Sequence, residues 1–280
     1  MMKQRNRADG WQHAKLSGHE NEAKVLEMFS NLDFCSTFSN RLDIPSIIKA
    51  DIGGLHEKNV ESILGDTTKS KSDLVLTLEN NSIVNISIKK SSAGQVYLIS
   101  VERFIEGFEH QFNTTINETV KEMLRLYFNG HPKIKEIIEV SNTKYKLRPN
   151  IAKYQTRKQR LVWESLCTYN NHAANEFLNW FKENIGKIAE FCFVKGLSAK
   201  DEDWADYVWY TNLIGENALD SIYRVEDICV ASQRNQDKVY IGKTLGGTTI
   251  QLPFGFVQWH QGQMQFHHNL AKIANIVENI

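Results

Sequence analysis

At 280 residues, with 41% hydrophobic and 24% charged side chains, the chain has enough apolar material to bury a sizeable core, which excludes a disordered or fibrous protein. Its 33 basic residues balance its 33 acidic ones, so net charge does not mark a nucleic-acid binder and any basic surface must be local. The cysteines Cys35, Cys167, Cys192 and Cys229 form no C-x-x-C pair, and no apolar run reaches bilayer length, so reduced thiols and a cytoplasmic protein are expected.

The first element is a helix over residues 18–30, where Val25, Leu26 and Phe29 form an apolar stripe at helical spacing. Glu22 extends that stripe backward by three and four positions. A carboxylate on a core-facing side either serves a site or profits from a nearby helix N-terminus.

Residues 71–95 then read as a two-stranded hairpin. Leu74, Leu76 and Leu78 share one face of the first strand, and Val84, Ile86 and Ile88 share one face of the second. Asp73 and Val75 fall on the other face, as do Asn85, Ser87 and Lys89. If both apolar faces meet one core, cross-strand partners sum to an even number, which demands a loop of odd length. A loop of Asn80, Asn81 and Ser82 fits well and sets Asp73 opposite Lys89, whereas a loop of Glu79, Asn80 and Asn81 sets it opposite Ser87. Either register places a carboxylate and an ammonium close together, as an exposed ion pair or as a site.

Further along, residues 95–101 read as a strand and 117–129 as a helix with Val120, Leu124 and Tyr127 on one side, ended by Asn129, Gly130, His131 and Pro132. The pattern is that of a mixed α/β (α+β) core, a central sheet flanked by helices. Lys144, Lys146, Arg148, Lys153, Arg157, Lys158 and Arg160 crowd into an acid-free stretch with Tyr145 and Tyr154 interleaved, suited to a phosphate backbone or to a solvated basic face. A helix is expected over 173–193, with Phe177, Phe181 and Ile188 near one face beside Trp180. Strands come next over 248–252, 254–259 and 263–268, the last two joined by a turn at His260, Gln261 and Gly262. In that ribbon Gln263, Gln265 and His267 alternate with Met264 and Phe266, with Gln258 on the preceding strand and His260 in the turn as further candidate DNA contacts. Glutamine amides suit adenine edges in a major groove, and a solvated sheet face is the plainer alternative. His260, His267 and His268 do not make a zinc pattern. The expected division is a core over 1–135 and a recognition region over 136–280, packed as one compact unit.

Ser72-Asp73 followed by Ser87-Ile88-Lys89 resembles the PD-(D/E)xK nuclease motif, and residues 18–129 resemble small type II restriction endonucleases. The run Lys89-Lys90-Ser91-Ser92-Ala93-Gly94-Gln95 is similar to the segment after the lysine in several of them. Ser72 stands where a proline often precedes the Asp, Ser87 stands where a second acid is usual, and Glu22 stands as the acid of the first core helix. The resemblance implies a restriction-endonuclease-like core that hydrolyses double-stranded DNA at specific sites with Mg²⁺. Asp73, Glu22 and the Ile88 carbonyl would hold the metal. Lys89 would orient the attacking water, Ser87 would hold an outer water, and Gln95 would touch a phosphate or base. It also implies duplex DNA as partner, a possible homodimer, and a cognate DNA methyltransferase as a genetic partner.

Overall fold

The computed structural model describes residues 7–53, 59–129, 161–214, 218–244 and 247–278. In chain order the elements are α1 (Arg7–Met28), α2 (Leu32–Leu42), β1 (Ile47–Ile52), β2 (Asn59–Glu61), β3 (Thr67–Lys69), β4 (Leu74–Leu78), β5 (Ile83–Lys89), β6 (Ala93–Ser100), α3 (Val101–Phe112) and α4 (Glu118–Leu124). After residue 161 come α5 (Trp163–Glu183), α6 (Ile185–Glu190), β7 (Tyr207–Thr211), β8 (Asp220–Arg224), α7 (Val225–Arg234), β9 (Tyr240–Thr244), β10 (Gly247–Leu252), β11 (Gly255–His260), β12 (Gln263–Asn269) and α8 (Leu270–Val277). The expected mixed α/β class is the one observed. The chain divides into two units, Met1–Ser92 with Phe193–Val225 and Ala93–Cys192 with Glu226–Ile280. Each unit therefore needs the chain to leave and return, whereas the sequence alone suggests one change of role near residue 135.

The first unit is built on a mixed sheet of order β1-β4-β5-β7-β8 among the described residues. β5 is its middle strand, antiparallel to β4 and parallel to β7. The alternation in the hairpin has its expected consequence: Leu74, Leu76, Leu78, Val84, Ile86 and Ile88 are all buried, in one cluster with Val25 of α1, Phe29 just after it, Phe38 of α2 and Trp209 of β7. Phe38 and Trp209 approach with ring centroids 4.8 Å apart. Asn31 caps α2, its side chain accepting from the Asp33 and Phe34 amides at 2.9 and 3.2 Å.

Of the two hairpin registers, the better-fitting one by sequence is not the one adopted. Leu74 pairs with Ile86 and Leu76 with Val84, so the loop is Glu79, Asn80 and Asn81, and Asp73 stands across from Ser87. The cause is local. Asn81 takes the left-handed conformation at φ 64°, its amide donates to the Leu78 carbonyl at 2.8 Å, and Leu78 N donates to Ser82 O at 2.9 Å. A left-handed residue at the end of the loop is the usual way to close a three-residue hairpin, and asparagine tolerates it best after glycine. Asn80 adds an Asx turn, accepting from the Ser82 amide at 3.0 Å.

The second unit carries an antiparallel sheet of order β6-β12-β11-β10-β9 among the described residues. The expected strand after the hairpin is β6, which pairs with β12 and not with the hairpin strands. Ile99, Val257, Met264 and Phe266 are buried on one face, where Phe104 of α3 meets Phe266 at 5.8 Å and Phe191 at 5.5 Å. The helix expected over 173–193 is interrupted: α5 ends at Glu183 and α6 begins at Ile185, and the intervening Asn184 turns its Nδ2 back to the Trp180 carbonyl at 2.9 Å. Asn117 caps α4 by accepting from Val120 N at 2.8 Å, as the start of the expected 117–129 helix requires. The turn between β11 and β12 is shorter than expected. Only Gln261 and Gly262 form it, with φ 52° and 83°, and His260 and Gln263 already belong to the strands.

Candidate active site

Asp73 stands at the head of β4, where its amide donates to Ile86 O at 2.9 Å and its carbonyl accepts from Gly53 N at 3.1 Å. The backbone is thus held from both neighbouring strands before the side chain makes any contact. Asp73 Oδ2 then accepts from the Ile88 amide at 2.7 Å and from Ser87 Oγ at 3.1 Å. Lys89 Nζ donates to Ser87 Oγ at 2.7 Å and to the Ile88 carbonyl at 3.3 Å, and lies 3.9 Å from Asp73 Oδ2. Ser87 is the joint of this group: its hydroxyl accepts from the ammonium and donates to the carboxylate, so one oxygen fixes both charged partners. The pair is not the exposed one that a solvated hairpin face would carry, because Asp73 and Lys89 are only 25% and 20% exposed and Ser87 is buried.

The sheet explains that burial. β7 lies parallel to β5, with Ser87 beside Val208 and Lys89 beside Tyr210, and Tyr210 is fully buried. Asn85 is buried on the same face as Ser87. Its amide donates to Asp206 Oδ2 at 2.8 Å and its Nδ2 to the Glu202 carbonyl at 3.0 Å. Ser72, the residue before Asp73, is buried too, with its hydroxyl 3.1 Å from both Asn85 Oδ1 and the Leu74 carbonyl. Ser72 thus braces the strand end instead of facing solvent.

α1 brings Glu22 to this group. Burial pushes its carboxyl up to about 7, the Asp73 charge pushes the same way, and Lys89 opposes them. Two carboxylates therefore share one half-buried neighbourhood with one ammonium. What sets Glu22 there is a residue that sequence reasoning missed. Asn21 is fully buried, its Nδ2 donates to Thr211 O at 3.0 Å, and its Oδ1 accepts from Leu213 N at 2.8 Å. The buried line on α1 is Asn21 and Val25, continued by Phe29 in the turn that follows, with Glu22 beside it. Spacing of four along that line was the available signal.

Among the described residues, no three of His, Cys, Asp and Glu cluster as a metal site. The donor set at Asp73 nevertheless fits a hard divalent cation. Asp73 Oδ1 has no hydrogen bond among the described residues, Glu22 supplies a second carboxylate, and Ile88 offers a backbone carbonyl, all of them oxygens of the kind Mg²⁺ takes. A cation beside Glu22 and Asp73 would also relieve the repulsion that raises the Glu22 carboxyl.

Those of the remaining predicted residues that are described belong to the second unit. Gln95 stands on β6 in the second unit, and its Oε1 accepts from Gln265 Nε2 at 2.7 Å. Gln258 Nε2 donates in turn to Gln265 Oε1 at 2.8 Å and lies 3.3 Å from His267 Nε2. His267 stacks on Phe256 with centroids 4.4 Å apart and planes 9° from parallel. Burial, aided by His260, pushes the His267 pKa down and so favours the uncharged ring. Gln95, Gln265 and Gln258 thus form an amide chain across β6, β12 and β11, with His260 opposite Gln263 at the ribbon end. Lys144, Lys146, Arg148, Lys153, Arg157, Lys158 and Arg160 lie outside the described residues.

No helix of the described residues is long and apolar enough to cross a membrane. No protein-family model and no curated protein sequence matches the chain. Among solved structures, the crystal structure of the restriction endonuclease MspI in complex with its cognate DNA is similar at 16% identity over 84% of this chain and 77% of that chain, with a TM-score of 0.42. A likeness of that size assigns neither fold family nor reaction, and the functional reading rests on this chain's own residues.

Proposed function

We propose that this protein is a Mg²⁺-dependent endonuclease that cuts double-stranded DNA at specific sites, a type II restriction enzyme on a PD-(D/E)xK-like core. The observation that carries the reading is the Asp73, Ser87 and Lys89 group on adjacent strands, held at 2.7–3.9 Å and joined by a second carboxylate from α1. An acid that holds a cation, a lysine held beside it, and a helix acid at its side are the parts that phosphodiester hydrolysis asks for.

Asp73, Glu22 and the Ile88 carbonyl would hold the cation, which supplies Lewis acidity toward a phosphate oxygen when bound. Lys89 Nζ orients the attacking water and offsets negative charge that builds on the phosphate. Ser87 Oγ keeps the ammonium beside Asp73 and passes a hydrogen bond between them. The amide chain of the second unit, with His260, Gln263 and His267, offers donors and acceptors to base edges. Each of Gln265's two amide atoms already holds one partner, so a base would take the remaining hydrogen and lone pair. The 144–160 stretch supplies phosphate contacts. A palindromic site would call for a homodimer, and a protective methyltransferase would be a genetic partner only.

Purified protein is expected to cut duplex DNA of known sequence into discrete fragments with Mg²⁺ and to stop with EDTA. A smear, or cutting that survives chelation, counts against the proposal. A second reading, a DNA-binding protein without cleavage, draws on one observation: Ser87 offers a neutral hydroxyl where a carboxylate would hold the cation more firmly. Tight duplex binding with no cleavage under any divalent cation would select it.

The two DNA-facing regions have separable signatures. Replacing Arg157, Lys158 and Arg160 together with Ala is expected to weaken binding to every sequence alike and to flatten the salt slope by about 2 to 3, as measured by anisotropy across a KCl series. Gln265→Leu is expected to leave that slope unchanged and to relax discrimination at one base position by roughly 1–3 kcal/mol. Equal losses on cognate and scrambled duplexes would remove Gln265 from base reading.

A further inference from the structure

α1 carries a second polar group toward Glu22 that the proposed reaction leaves unused. His19 lies three residues earlier on the same face, and its Nδ1 stands 3.6 Å from Glu22 Oε2. That nitrogen is shielded from solvent and makes no hydrogen bond. A shielded polar atom is normally paired, so one aimed at a carboxylate from just beyond bonding distance calls for an explanation. The backbone between the two residues is not free to drift, because Asn21 is anchored through both its amide atoms to Thr211 and Leu213. Only side-chain rotation separates His19 and Glu22 from a hydrogen bond.

We propose that His19 is a positioning residue for Glu22: its Nδ1–H closes on Oε2, fixes the carboxylate rotamer, and leaves Oε1 turned toward Asp73 to help hold a divalent cation. The inference rests on the reading of Glu22 and Asp73 as the cation-holding pair. Outer partners of this kind set the orientation and basicity of the oxygens that meet a metal, and their loss commonly lowers metal affinity 10- to 100-fold. The imidazole differs from Lys89 in reach. It touches Glu22 from within the helix and needs no contact with substrate.

The test is Mn²⁺ binding to the full-length protein at pH 7.5, followed by electron paramagnetic resonance of the free ion, with no DNA present. His19→Ala is expected to weaken binding by about 10-fold or more. His19→Asn, whose amide nitrogen falls near the position of Nδ1, is expected to recover most of the loss. In a Glu22→Gln background, His19→Ala is expected to change Mn²⁺ affinity no further, because the group it orients is already neutral. A packing role predicts the reverse, no rescue by Asn and an additive loss in the Gln background, and either result overturns the proposal. If His19→Ala does not fold, the comparison of His19→Asn with His19→Leu carries the test. Mn²⁺ bound equally by the parent and His19→Ala overturns the role of His19 alone. No Mn²⁺ bound by the parent overturns the cation-holding pair and this inference together.

Discussion

Asp73→Asn and Lys89→Ala are each expected to lower duplex cleavage by about 10³-fold or more, while duplex binding persists. The two losses have different physical origins. Asp73→Asn keeps an oxygen to accept from the Ile88 amide, now 2.7 Å from Oδ2, and from Ser87, so the strand ends stay paired. What it removes is the negative charge that would hold the cation. Lys89→Ala leaves the Ser87 to Asp73 hydrogen bond in place and deletes the ammonium that lies 2.7 Å from Ser87 Oγ. Its cost to folding is expected to be small, because the residue is held by one short bond, a longer one to the Ile88 carbonyl and a 3.9 Å ion pair. Supercoiled plasmid nicking and linearisation with Mg²⁺, alongside circular dichroism of each variant, checks both. Full activity in either variant removes that residue from the reaction.

Glu22→Gln is expected to stabilise the protein above pH 7 in the absence of divalent cation and to leave it unchanged near pH 4. The sign comes from the raised carboxyl, about 7 in the folded protein against an ordinary 4.5. Between those values the folded state binds more protons than the unfolded one, so stability falls as pH climbs from 4.5 toward 7 and is flat beyond. At pH 8 the ionised, half-buried Glu22 costs on the order of 3 kcal/mol, which glutamine of the same shape does not incur. A urea series at pH 4.5, 6 and 8 (roughly spanning the window) reads the difference, and parallel curves for parent and variant would discard the electrostatic account. Adding Mg²⁺ at pH 8 is expected to raise the parent's midpoint and to move the variant less, since a cation that binds the folded state stabilises it by mass action.

Alternation was the most legible signal in this chain. Leu74 to Ile88 placed an apolar face correctly because strand periodicity is local, and the same argument found the β11 to β12 ribbon and its amide face. The register was not legible to the same degree, since it turned on the willingness of Asn81 to adopt positive φ. Burial of Asn85 and Ser87 was invisible for a different reason: it depends on β7, whose pairing with β5 joins segments far apart in sequence. The same limit applies to Asn21, which finds its partners at Thr211 and Leu213. Gln95, expected to touch a phosphate or base at the end of the run after Lys89, stands on β6 in the second unit's sheet and amide chain, a placement that depends on pairing with the distant β12. β1, β2 and β3 escaped notice because none shows a clean alternation; Ile48, for example, is 61% exposed. His19 was overlooked although the i, i+3 spacing to Glu22 was readable.

The interleaving of the two units bears on the order in which a ribosome can finish this protein. The β4 to β5 hairpin emerges early, carrying Asp73, Ser87 and Lys89, but the strand that flanks β5 on its other side arrives only with residues 207–211. Residues 93–192, made in between, belong to the other unit. At typical elongation rates the nascent chain therefore spends on the order of ten seconds with β5 as an open sheet edge, and without the Thr211 and Leu213 groups that anchor Asn21 beside Glu22. A chain released before that point carries every acid and base of the site in an unfinished sheet, so truncated products should be inert toward DNA and prone to strand-edge association.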